Sequence, residues 1–163
     1  MIIHLLLFPG TKIKYCFHEF YQSNHYLFNL ILQYIWNMKK LESREDIEHL
    51  VNSFYTKVIK DETIGFFFND VAKVDWDKHL PKMYSFWESI LFGQMTYKGN
   101  PMGVHFPINE IQAMEQKHFD RWLELWRTTI EENFVGENAD MAIYKSENIA
   151  KLMAFKMELA RRL

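Results

Sequence analysis

A chain of 163 residues with 48% hydrophobic and 25% charged positions has room for one globular domain and the ordinary balance of one. Its net charge of −2, with Lys and Arg spread along the chain, excludes the electrostatic footprint expected of a nucleic-acid or anionic-membrane binder. The single cysteine, Cys16, excludes a disulfide framework and a cysteine-based zinc site, and suits a reducing cytoplasm.

Residues 1–37 differ in character from the rest. Their apolar stretches, Ile2–Phe8 and Tyr26–Trp36, fall short of the ~20 residues that span a bilayer. No basic region precedes the first stretch and no small-residue cleavage site follows it, which argues against a secretory signal. A charged, patterned segment opens at Met38-Lys39-Lys40, so the chain divides into a leader, 1–37, and a domain, 38–163. The leader reads either as an extension ahead of the true start at Met38 or, as the alternative, as a segment touching a membrane surface or an extra helix.

From Leu41 onward the pattern is helical. Ile47, Leu50, Val51, Phe54 and Val58 recur at steps of three and four, predicting an amphipathic helix capped near Ser43 and ending near Asp61-Glu62. Thr63 to Asp70 is too short and apolar for an ordinary loop and reads as a tight, buried corner. A second helix carries Leu80, Met83, Tyr84, Trp87 and Leu91 on one face, with Asp75 as cap and Gly93 near its end. Pro81 predicts either a first-turn position or a kink just after His79. Gly99-Asn100-Pro101 marks a turn, and Met102–Phe106 reads as a short irregular segment before Pro107. Phe119, Trp122, Leu123, Trp126, Ile130 and Phe134 define a third helix with Gly136 at its C-cap. A last helix shows Ile149, Leu152, Met153, Leu159 and Ala160. No alternating run suggests a strand, so the fold class is all-α.

Fourteen Phe, eight Tyr and five Trp are a heavy aromatic load for one domain. Each buried aromatic removes roughly 150–250 Å² from water. These residues either fill a core or line a cavity for a flat apolar ligand. Of the seven histidines, His4, His18 and His25 lie in the leader and His49 on the polar side of the first helix, leaving His79, His105 and His118. No His-x-x-x-His or Glu-x-x-His pair sits on one helix face, against zinc hydrolase and di-iron sites. Gly-rich phosphate loops and hydrolase nucleophile motifs are absent. Tyr55 and Trp122 lie beside or within apolar stripes, where a hydroxyl or indole N–H needs a partner.

An ordered set of residues goes further. Phe54-Tyr55, Ile64-Gly65-x-x-Phe68-Asn69 and His79-Leu80-Pro81-Lys82-Met83-Tyr84-x-Phe86-Trp87 precede Tyr97-x-Gly99-Asn100-Pro101-Met102-x-x-His105 and His118-Phe119-x-x-Trp122-Leu123. In this order and spacing the chain resembles the truncated haemoglobins of the third group, over about residues 42–160. The resemblance implies a truncated globin fold, a two-over-two helical sandwich around a non-covalent b-type haem. It implies that His105 is the iron ligand, that Tyr55, His79 and Trp122 surround a bound gas, with His79 donating to it, swinging out as a gate or binding iron itself, and that Phe68, Met83, Phe86, Trp87 and Trp122 line the haem pocket. The leader has no counterpart in that family, and the stretch between His105 and Trp122 is one where its members differ.

The resemblance further implies O₂, CO or NO binding with slow O₂ release, and nitric oxide dioxygenation or peroxidase-like chemistry fed by a separate reductase. A monomer or weak dimer is expected. The same pocket residues serve a non-catalytic gas carrier or sensor equally well. A haem-free helical interaction module, with its aromatics as plain core, is the reading furthest from the ordered motif set.

Overall fold

The computed structural model describes residues 38–162 together with residues 29 and 33. The leader expectations, including those for Cys16 and the leader histidines, lie outside the described residues. Among the described residues, no helix is long and apolar enough to cross a membrane.

The first helix, α1 (Arg44–Val58), starts at a capping box. The Ser43 hydroxyl accepts the Asp46 N–H at 3.2 Å, while the Asp46 carboxylate accepts the N–H groups of Ser43 and Glu42 at 2.9 and 3.0 Å. Its apolar stripe sinks Ile47, Leu50, Val51, Phe54 and Val58 to near-zero exposure. The helix stops short of the expected Asp61-Glu62. The Asp61 carboxylate accepts the N–H groups of Thr63 and Ile64 at 3.0 and 3.1 Å and the Arg121 guanidinium at 2.8 Å, starting a new turn.

The corner that follows contains a π-helical turn, Phe67–Val71. Gly65 is required there, because a Cβ would lie 2.9 Å from the Val58 carbonyl oxygen. Ile64, Gly65 and Phe67 are buried as expected, but Asn69 and Asp70 face outward, and the Asn69 amide donates back to the Ile59 carbonyl at 2.9 Å.

Helix α2 (Trp76–Phe92) begins after Asp75, whose carboxylate pairs with Lys78 at 2.6 Å rather than capping. Pro81 lies beyond the first turn, and the helix continues through it. Pro81 and Asp77 are exposed, so the Asp77 carbonyl that loses its intrahelical partner is open to solvent. Gly93 ends the helix in the left-handed conformation, φ +68°.

The expected irregular segment is a helix, α3 (Pro101–Ile111). The Asn100 side chain caps it by accepting the Gly103 N–H at 3.0 Å, and Pro101 supplies a preset φ at the first position. Pro107 is tolerated on an exposed face.

Helix α4 (Gln116–Asn133) buries Phe119, Leu125, Trp126, Thr129 and Ile130. Gly136 is not its C-cap. Phe134–Val135 (β2) first pairs in parallel with Lys39–Lys40 (β1), and Gly136, φ +99°, then turns the chain into α5 (Glu137–Arg162). The inner face of α5 matches the expected one only at Met153 and the partly buried Ile149. Ala139, Ala142, Ser146, Ala150, Met153, Ala154 and Met157 are buried, whereas Leu152 and Leu159 are exposed. Small side chains let α5 approach α4 closely enough for the Trp126 indole to reach the Ala142 carbonyl at 3.4 Å.

Helices α1 and α2 form one layer and α4 and α5 the other, in the two-over-two sandwich of a truncated globin. Trp126 lies at the crossing, 1% exposed, stacked on Trp87 at 4.3 Å and edge-on to Phe54 at 5.0 Å. Each such aromatic pair adds about 0.5–1.5 kcal/mol beyond its burial. Helix α3 packs on α5 and on the π-helical turn.

Candidate functional site

Tyr55, in the last turn of α1, is ringed by Phe54, Phe68, Trp76 and His79 at centroid distances of 5.0, 5.8, 5.3 and 5.1 Å. Its hydroxyl oxygen lies 3.0 Å from His79 Nε2. Burial pushes the phenol's pKa up, so it keeps its proton at neutral pH.

His79, in the first turns of α2, is pushed down to about 4, by burial first and then by the charges of His105 and Lys82. At neutral pH it is an uncharged imidazole.

His105 sits on α3 with Nδ1 2.6 Å from the Pro101 carbonyl oxygen. A carbonyl only accepts, so Nδ1 carries the proton and Nε2 keeps its lone pair. Burial lowers the pKa of His105, against the opposing pull of that backbone bond. Among the described residues, Nε2 has no hydrogen-bond partner. One turn further along α3, buried Asn109 donates to the Met157 carbonyl at 3.0 Å and accepts from the Met114 N–H and Arg161 at 2.9 and 2.7 Å. This clamp fastens the histidine's helix to α5.

Trp122, on α4, stands edge-on to Phe54 at 5.6 Å and stacks on Trp126 at 5.9 Å. Among the described residues its indole N–H has no acceptor. Phe68, Met83 and Phe86 are half-buried against the same core, and Phe86 meets Tyr97 edge-on at 5.1 Å. Trp87 lies deeper, 3% exposed on the Trp126 stack.

Two other histidines are accounted for locally. His118 Nδ1 accepts the N–H of the N-cap residue Glu115 at 2.9 Å, completing the capping box of α4, and its ring packs on Phe67 at 4.9 Å. His49 meets Asn133 at 3.1 Å. Trp76 escaped the sequence reading. It touches Tyr55, stacks on Phe68 at 6.2 Å and stands edge-on to His79 at 5.7 Å. Its only signal was its place three residues before His79, on the same side of one helix.

These residues fit a flat apolar group that needs one nitrogen ligand from the protein. Helices α2 and α3 each bury a single residue fully, Trp87 and Asn109, while Met83, Phe86, Met102 and Phe106 stay half-buried. Among the described residues, no three His, Cys, Asp or Glu side chains gather as metal ligands. A haem iron asks the protein for one imidazole nitrogen, and His105 Nε2 has the required free lone pair.

The family model for bacterial-like globins matches residues 39–157. The chain is 28% identical over 111 residues to the group 3 truncated hemoglobin ctb of Campylobacter jejuni subsp. jejuni serotype O:2, covering 66% of this chain and 85% of that protein. The crystal structure of a group III truncated hemoglobin from Campylobacter jejuni is similar with a TM-score of 0.61 at 28% identity, covering 71% of this chain and 93% of that one.

Proposed function

Because this chain belongs to the bacterial-like globin family, with the fold of a group III truncated haemoglobin, we propose that it holds a b-type haem non-covalently and binds diatomic gases such as O₂, NO and CO there. The observation that carries this reading is the proton at His105: with Nδ1 committed to the Pro101 carbonyl, Nε2 is a lone-pair donor in an apolar setting. An iron-binding imidazole needs that arrangement. His105 Nε2 would hold the iron of such a haem, which would supply a metal centre that binds a small gas molecule.

Phe68, Met83 and Phe86 contribute apolar wall, backed by Trp87. Tyr55, His79 and Trp122 contribute the polar side. Tyr55 keeps its phenolic proton, His79 is neutral, and Trp122 can only donate. A hydrogen bond to a ligand carrying partial negative charge is worth about 1.5–3 kcal/mol. These donors therefore slow O₂ release. Such retention suits conversion of nitric oxide to nitrate, with electrons from a separate reductase, better than it suits transport.

The test is spectroscopic. The full chain reconstituted with haemin, reduced and exposed to CO, should give a sharp Soret band that is lost or strongly altered in His105→Ala. A folded protein that takes up no stoichiometric haem would overturn the reading.

A further inference from the structure

The last helix has two apolar faces. One is the small-residue face packed inside the domain. The other carries Met141, Tyr144, Leu152, Phe155 and Leu159, which are 37%, 59%, 53%, 58% and 40% exposed. With Asn148, also exposed, these residues advance by steps of three and four, so they form one stripe on the side of α5 opposite Ala142, Ser146, Ala150 and Met157. Single exposed apolar residues are ordinary on a surface. A stripe about 27 Å long, at 1.5 Å of rise per residue, broken only by Asn148, is not.

We propose that this stripe is a self-association surface, on which α5 of a second copy of this chain docks antiparallel about a two-fold axis near Asn148 and Leu152. The order of residues along the stripe is self-complementary. Antiparallel pairing sets Met141 against Leu159, Tyr144 against Phe155, and Asn148 against Leu152. Beyond them it sets Glu137, at the acidic start of α5, against Arg162, at its basic end. Parallel pairing would oppose Glu137 to Glu137 and Arg162 to Arg162, and would align the two helix dipoles unfavourably. A two-fold contact uses the same patch twice, which a self-complementary stripe satisfies and an unrelated partner would not require. At on the order of 100 Å² of exposed surface each, the large side chains offer roughly 500 Å² of apolar contact. That supplies most of the ~800 Å² per partner of a standard interface, with the flanking polar residues as rim. This inference does not depend on the haem reading.

The test uses the full chain in sedimentation velocity. Its mass should rise toward twice 19.8 kDa with concentration. Tyr144→Lys and Phe155→Glu should each sediment as monomers while keeping the parent's helical circular dichroism. Mixed in equal amounts, the two should regain the double mass, because the antiparallel register sets the introduced ammonium of one against the introduced carboxylate of the other. Should either lose its helical signal, Leu152→Gln carries the same expectation of a monomer. A parent that stays monomeric at every concentration, a dimer that survives the single substitutions, or variants that fail to recover on mixing would each overturn the proposal.

Discussion

His79 Nε2 and Tyr55 Oη stand 3.0 Å apart, and Trp76 holds both rings from one side. The direction of this hydrogen bond decides what Tyr55 can do. If the hydroxyl donates to an unprotonated Nε2, its proton is spent within the protein. If Nε2–H donates to the phenol oxygen, the O–H is left for a third group. A neutral imidazole can exchange one arrangement for the other by changing tautomer. The pair is thus a donor whose aim is set by His79.

Tyr55→Phe should therefore speed O₂ dissociation from the reduced, haem-loaded protein by roughly 10- to 150-fold, the equivalent of one charge-assisted hydrogen bond. Stopped-flow displacement of O₂ by CO measures it. An unchanged rate would remove Tyr55 as the principal donor.

His79 also makes stability depend on pH. Its folded-state pKa, about 4, lies below the ordinary histidine value of 6.5, so the unfolded chain binds the proton more readily. Stability accordingly falls as pH drops from 6.5 toward about 4, and this contribution changes no further below that. Thermal unfolding of the haem-free protein across this window should show the slope, and His79→Gln should reduce it, leaving the smaller part that His105 and His118, also lowered by burial, contribute. An equally steep slope in the variant would assign the effect to another group.

Trp76 should matter through His79 rather than through the ligand. Trp76→Phe keeps an aromatic edge and should leave gas kinetics near those of the parent. Trp76→Ala removes the support and should broaden the Fe–CO stretching band as His79 samples more positions. A single unshifted band in the alanine variant would show that Tyr55 alone fixes the imidazole.

The sequence reading succeeded where burial follows a simple period. Ile47, Leu50, Val51, Phe54 and Val58 had to share a buried face, and they do. It failed where tertiary contacts override local preference. Gly103 and Pro107 disfavour a helix, yet α3 forms because Asn100 caps it, Pro101 presets its first turn and Asn109 anchors it to α5. On α5 the reading followed Leu152 and Leu159, whereas a close helix pair selects the small residues Ala139, Ala142 and Ala150. Tyr55, His79 and His105 were singled out by the family resemblance, and the fold sets His79 Nε2 and the Tyr55 hydroxyl 3.0 Å apart. Trp76 was not, because an edge-on support for another ring leaves no mark in spacing alone.

Asp46 predicts a separate acid-sensitive step. Burial would raise its pKa, but the Lys39 ammonium and the N–H groups of Glu42 and Ser43 outweigh that and hold it below the ordinary range. Its contribution is thus complete above the ordinary carboxylate pKa and disappears as pH falls through the lowered folded value. Asp46→Ala should cost about 1–3 kcal/mol near neutrality, through the lost cap and the stranded N–H groups. Urea unfolding would measure the loss, which should shrink toward the acid limit.

Asn109 offers a sharper test of how the fold supports His105. Its side chain makes no hydrogen bond to the imidazole, yet it ties α3 to the Met157 carbonyl, the Met114 N–H and Arg161. Asn109→Leu keeps the branching of the side chain but strands the Met114 N–H, an expected cost of about 1–3 kcal/mol, while Arg161 keeps its bonds to the Met114 and Met157 carbonyls. A purely structural role would lower the unfolding midpoint and leave the haem spectrum alone. If the clamp also sets the position of His105, haem loss to a scavenger should accelerate at temperatures far below unfolding. The iron–histidine stretching band of the reduced protein should shift as well. Asn109→Asp, which keeps the acceptor for Met114 and Arg161 but loses the donor to Met157, should fall between the parent and the leucine variant. Identical haem loss in all three proteins would show that α3 is held by its cap and apolar contacts alone.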